Sequence, residues 1–187
     1  LWSDLSTKLD HGPDPLRQSP VLPDGWRYRK LGELIAIKHG FAFEGEYFSD
    51  SISAAPVLLT PANFSTTGEL RFTEDNTKRF TGEVNESFWL KEGDIVVLMT
   101  DLTPSATLLG APGVVSSEHG KILQNQRIGL VSNISPQDVT NEFIYFSFLG
   151  PQLRRMIRAL SAGSTVRHTS PKDICYLKVP LPPIETQ

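Results

Sequence analysis

The chain has 187 residues, of which 39% are apolar and 21% charged, with a formal net charge of −3. That length suits one globular domain with a sizeable core but not two, and the composition excludes wholesale disorder and a fibrous repeat. The longest apolar run, residues 95–99, falls far short of the roughly 20 residues of a membrane span, so a soluble protein with no membrane partner is expected.

Pro13, Pro15, Pro20 and Pro23 fix backbone angles and remove amide donors, so residues 1–22 read as an extended lead-in and 23–187 as the domain. The lead-in lacks the charged start and apolar stretch of a secretory signal, and none is expected. Leu31, Leu34 and Ile35 repeat at helical spacing, which predicts a helix over 30–38 that Gly40 ends. Phe41, Phe43, Tyr47 and Phe48 follow as an aromatic cluster, expected with Trp26 and Trp89 in the core.

Short apolar and β-branched runs separated by glycines predict strands over 56–60, 94–100, 113–116 and 127–132. Lys91-Glu92-Gly93-Asp94 reads as the tight turn feeding the second of these. Helices are predicted over 141–149 and from Pro151, where Leu153, Met156, Ile157 and Leu160 form one apolar stripe that Gly163 terminates. Residues 173–179 read as a last strand. The fold class is α+β, with a mixed, mainly antiparallel β-sheet and flanking helices.

Chemistry-bearing motifs are missing where nucleotide or hydrolytic chemistry needs them. Neither G-x-x-x-x-G-K-[ST] nor G-x-G-x-x-G occurs, so no loop is predicted to cradle phosphates. His11, His39, His119 and His168 contain no i, i+4 pair, and no G-x-S-x-G elbow is present. No glutamate precedes a lysine by two positions, as nuclease metal sites often require. Cys175 stands alone, which rules out an internal disulfide and a cysteine-based zinc cluster and fits a reducing cytoplasm. A non-catalytic protein without cofactor or metal is expected.

Five segments carry a family pattern in order. They are Leu22-Pro23-Asp24-Gly25-Trp26 with Lys30-Leu31-Gly32-Glu33, Gly93-Asp94-Ile95-Val96 with Met99-Thr100-Asp101-Leu102-Thr103, Asn125-Gln126-Arg127-Ile128, Gly163 through Ser170, and Val179 through Gln187. Together they resemble the specificity subunit of type I restriction-modification enzymes over about residues 22–187. The resemblance implies a target-recognition-domain fold and sequence-specific binding of double-stranded DNA on behalf of methylation and restriction subunits. In that family one subunit carries two recognition domains separated by long helices, each contacting half of a split sequence. This sequence holds one such domain and stops where the spacer helix would begin, as expected of a half-length subunit that self-associates or of one domain from a longer chain. The alternatives are the recognition domain of a single-chain restriction-methylation enzyme, a protein-interaction domain without DNA, and, with least support, a hydrolase with a dispersed site.

DNA recognition needs cations and amides for phosphates and paired donors and acceptors for base edges. Residues 164–172 offer both: Arg167 suits guanine, His168 donates or accepts, Ser164, Thr165, Thr169 and Ser170 carry hydroxyls, and Lys172 adds charge. The competing reading is a helix stop followed by a turn. Asp101, Thr103, Gln124, Asn125, Gln126 and Arg127 are further candidates, open equally to base reading and to hydrogen bonding within loops. Arg154 and Arg158 could follow the DNA backbone or form a solvated helix face.

Overall fold

The computed structural model describes residues 21–49, 54–103, 105–163 and 166–187. Its centre is the apolar run read from the sequence. Ile95–Leu98 forms strand β7, and all five side chains from Ile95 to Met99 are buried. The Lys91–Asp94 turn feeds it as expected, with Gly93 at a positive φ of 84° and the Asp94 carboxylate accepting from the Lys91 amide. A strand buried on both faces reads as a continuous apolar run, and alternate residues serve two cores.

Among the described residues, β7 pairs antiparallel with β9 (Pro112–Val114) on one side and β11 (Ile128–Asn133) on the other. Strand β2 (Ile35–His39) completes this four-stranded sheet beyond β11. A second sheet has five strands in the order β3 (Phe48–Ser49), β5 (Lys78–Phe80), β4 (Val57–Leu59), β10 (Ile122–Gln124) and β6 (Trp89–Leu90), with β4 and β10 parallel. Strand β1 (Arg27–Lys30) forms a separate ribbon with β13 (Lys178–Leu181), and β8 (Thr100–Asp101) pairs with β12 (Arg167–His168).

The molecule is layered. Ile95, Val97 and Met99 face helices α1 (Asn141–Leu149), α2 (Pro151–Leu160) and α3 (Pro171–Tyr176), where Ile144, Phe148, Leu153, Ile157 and Ile174 close the first core. Val96, Leu98 and Ile128 face the five-stranded sheet and pack with Val57, Leu59 and Ile122. Leu58 and Leu123 point out of that sheet's far side, where Phe43 and Phe80 cover them. This is the α+β class expected from the sequence.

Several expectations need correction. Residues 30–38 form no α-helix: Leu31–Glu33 is one 3-10 turn, after which β2 begins. Leu31, Leu34 and Ile35 are buried, but the turn and the strand each supply part of the spacing that mimics a helix. Residues 173–179 are not one strand, because Ser170 accepts the Asp173 amide and Pro171 takes the first helical position, so α3 forms before β13. Leu160, expected in the apolar stripe, is 48% exposed, and Ser161, not Gly163, ends α2. Gly163 has φ of 99°, and a side chain there would collide with the Val166 carbonyl, so this close backbone approach, not a helix stop, is what requires glycine. The expected lead-in lies almost wholly outside the described residues.

Candidate nucleic-acid interface

The polar candidates come from distant parts of the sequence, and one backbone position joins two of the stretches that carry them. The Met99 amide donates to the Arg127 carbonyl at 2.9 Å, and the Met99 carbonyl accepts from the Thr169 amide at 2.9 Å. Residues 127 and 169 therefore lie side by side at the end of the four-stranded sheet where β7 finishes and β11 starts. Pairing of β8 with β12 sets Arg167 opposite Asp101 and His168 opposite Thr100. On the other flank, the Gln126 amide donates to the Phe41 carbonyl at 2.7 Å and the Gly40 amide to the Ile128 carbonyl at 3.2 Å. A Cβ on Gly40 would overlap the Asn125 carbonyl, so this close approach demands glycine.

Exposure divides the candidates. Gln126 and His168 are exposed, while Asn125, Arg127, Arg167 and Thr169 are half-buried. The His168 Nδ1 sits 3.0 Å from the Thr100 hydroxyl, which fixes the orientation of this exposed ring. Asn125 spends its Oδ1 on the Arg127 amide at 3.1 Å, which leaves its amide donors available. Among the described residues, the Arg127, Arg155, Arg158 and Lys172 side chains enter no ion pair.

Asp101 is a staple, not a contact. It is 2% exposed, and its two oxygens accept from the Thr103 amide and hydroxyl (2.9 and 2.8 Å) and from the Leu108 amide (2.7 Å). The loop it closes carries exposed Leu102, Thr103, Ser105 and Thr107. Inside it Ala106 adopts a positive φ of 48°, a conformation costly for any residue but glycine. Arg154 holds the same loop from beneath. It is 7% exposed, donates to the Thr107 carbonyl and, at 3.4 Å, to the Thr66 carbonyl, and leaves its Nε without a partner. Burial, and then the Arg158 charge, push its pKa down, with Asp101 opposing.

Three candidates are thus displaced from the surface. Arg154 and Asp101 organise a loop, and Gln124, 0% exposed, donates to the Lys38 and Ile128 carbonyls at 2.8 and 3.0 Å, which ties the two large sheets together. Arg167 is partly occupied as well: its Nε donates to the Ser161 hydroxyl (2.9 Å) and an Nη to the Arg158 carbonyl (3.0 Å), capping the end of α2. Arg158 is half-buried beside it. Ser170 is engaged with Asp173 as the cap of α3, and Lys172 is exposed on that helix's first turn. Ser164 and Thr165 lie outside the described residues. Thr103 is exposed next to Asp101.

Residues 23–187 match the family model of the type I restriction modification DNA specificity domain. The chain belongs to that family. Solved structures share the specificity-domain fold at low identity. One is a chain from a study of complex assembly and conformational transition of the type I R-M system, at 17% identity and a TM-score of 0.59, covering 93% of this chain and 37% of that one. The S subunit of a type I system from M. genitalium gives 15% identity and 0.56, covering 87% and 36%. The HsdS subunit from Thermoanaerobacter tengcongensis gives 18% and 0.54, covering 93% and 36%. This specificity domain therefore spans little more than a third of the chains it resembles. No protein of curated function matches it in sequence.

The aromatic cluster expected in the core divides: of Phe41, Phe43, Tyr47 and Phe48 only Phe43 is buried, while Phe41 is 49% exposed, Tyr47 42% and Phe48 39%. Composition alone could not separate them. The Gly40-Phe41 pair was the available signal, since that glycine marks a backbone pressed against another strand. Among the described residues, no helix is long and apolar enough to cross a membrane, and no group of three His, Cys, Asp or Glu side chains is placed to hold a metal ion.

Proposed function

We propose that this domain reads a specific double-stranded DNA sequence and supplies that address to the methylation and restriction subunits of a type I system in the cytoplasm, performing no chemistry itself. The observation that carries the reading is the junction at Met99. It gathers Asn125, Gln126, Arg127, His168 and Thr169 from two separate stretches of sequence beside the stapled loop of residues 102–108. Gln126 and the free amide of Asn125 suit adenine in the major groove, and Arg127 suits guanine or phosphate. Loop groups held by Asp101 and Arg154 need little further ordering when they meet a partner, which preserves affinity. Residues 23–187 act as one recognition unit.

The net charge of −3 does not set the local field: at this end Asp101 is only 2% exposed, while Arg127 and Lys172 enter no ion pair among the described residues. Asp101 is enclosed by hydrogen bonds, and Asp173 accepts from Ser170. The test is enrichment of a randomised duplex pool on the protein, followed by titration of the enriched duplex at two salt concentrations. A recurrent sequence should emerge, and its affinity should fall by about 0.9 log units per log unit of salt for each phosphate neutralised. Enrichment of nothing, with salt-independent binding, would refute the reading.

A further inference from the structure

We propose that Phe41 is a specificity-determining residue that, together with Gln126, reads an A·T base pair by placing its ring against the thymine methyl group. The inference rests on the DNA-reading function proposed above and adds to it a residue and the base pair it selects.

Single exposed apolar side chains are common and need no function. Phe41 differs in how firmly it is held. Its amide donates to the Gln124 carbonyl at 3.1 Å, its carbonyl accepts from Gln126 at 2.7 Å, and the preceding Gly40 admits no side chain. Its ring meets Phe43 edge-on with centroids 5.2 Å apart, and Phe88 at 5.1 Å. Lys38 lies over the Phe88 ring at 4.6 Å, which places a cation nearby. About half of the Phe41 side chain still faces solvent. A rigid, half-exposed aromatic at low ordering cost is the kind of anchor that binding surfaces use.

Its neighbour defines what it would touch. Gln126 is exposed and bonded through its backbone to Phe41, and a glutamine can bond both N6 and N7 of adenine in the major groove. The thymine paired with that adenine, or with the next one, presents a C5-methyl group in the same groove, and an apolar ring is the fitting partner for it. Tyr47 and Phe48 are similarly exposed but rest on Phe80, without the backbone link to residues 125–127.

The test uses the duplex that the wild-type chain enriches from a randomised pool. Each thymine is replaced singly by uracil, which removes only the methyl group, and affinities are measured for wild type, Phe41→Ala and Phe41→Leu. At one thymine, uracil should weaken wild type about fourfold, the worth of one methyl group taken from water. Phe41→Ala should show no such penalty there, Phe41→Leu should retain part of it, and Gln126→Ala should lose preference for an adenine in that pair or the adjoining one. Equal uracil penalties in wild type and Phe41→Ala, or no sensitive thymine in wild type, would overturn this inference alone. A wild-type chain that enriches no sequence would overturn the DNA-reading function as well.

Discussion

At the end of the four-stranded sheet where β2 begins and β11 finishes, Arg27 and Arg29 are spent on carboxylates. Arg27 bonds Asp138 at 2.8 Å, Arg29 bonds Glu33 and approaches Asp138 at 3.6 Å, and Ser135 donates to Asp138 at 2.9 Å. Asn133, Thr140 and Gln187 close the same corner with further hydrogen bonds. At the opposite end, around Met99, Arg127 and Lys172 enter no ion pair among the described residues, and Gln126 and His168 are exposed. One sheet thus has an end whose polar groups hold the fold together and an end whose polar groups are held in position with bonding capacity to spare. A surface meant for a polyanion should look like the second, because cations already matched with carboxylates release little on meeting phosphate.

The contrast breaks most sharply at Arg154. Arg154→Ala strands the Thr66 and Thr107 carbonyls and opens a void under the loop, so unfolding stability should fall by about 2–3 kcal/mol in denaturant titration. DNA affinity should fall beyond what the unfolded fraction accounts for. Gly40→Ala forces a methyl group against the Asn125 carbonyl, with an expected cost of about 1–2 kcal/mol and weakened binding, since residues 125–127 must move.

Both effects show why the site was only partly legible in the sequence. Helices α1 and α2 and strand β7 follow from patterns contained within each segment. Burial of Arg154 does not: it depends on loops at residues 66 and 107, remote in sequence, that close over a position beside the apolar stripe. Gln124 and Asp101 were recognisable as polar groups beside strand ends, but whether such a group faces solvent or bridges two strands is decided by register. The 30–38 segment misled for a related reason, because a 3-10 turn running into a strand buries residues at the spacing of a helix. The convergence at Met99 has no local signature at all.

A gentler test is Arg127→Ala, which should leave the fold intact and lower the salt slope of duplex binding by about one unit if the guanidinium meets phosphate. If it meets guanine instead, the slope should hold while preference at one base pair relaxes. The smallest effect belongs to the paired end. The Ser135 hydroxyl first, then Arg29 and Arg27, hold the Asp138 carboxyl below the usual range. Its contribution is therefore present above the ordinary carboxylate value, about pH 4, and is lost as pH falls through the lower folded value. Asp138→Asn should flatten that acid limb in thermal melts, lower Tm slightly at neutral pH and leave DNA binding unchanged.

Amide hydrogen exchange with and without the enriched duplex addresses the two ends directly. DNA should slow exchange in residues 39–41, 99–103, 125–127 and 166–172 and leave 27–33 and 133–140 as they were. Protection confined to the ion-paired end, with none around Met99, would contradict the account.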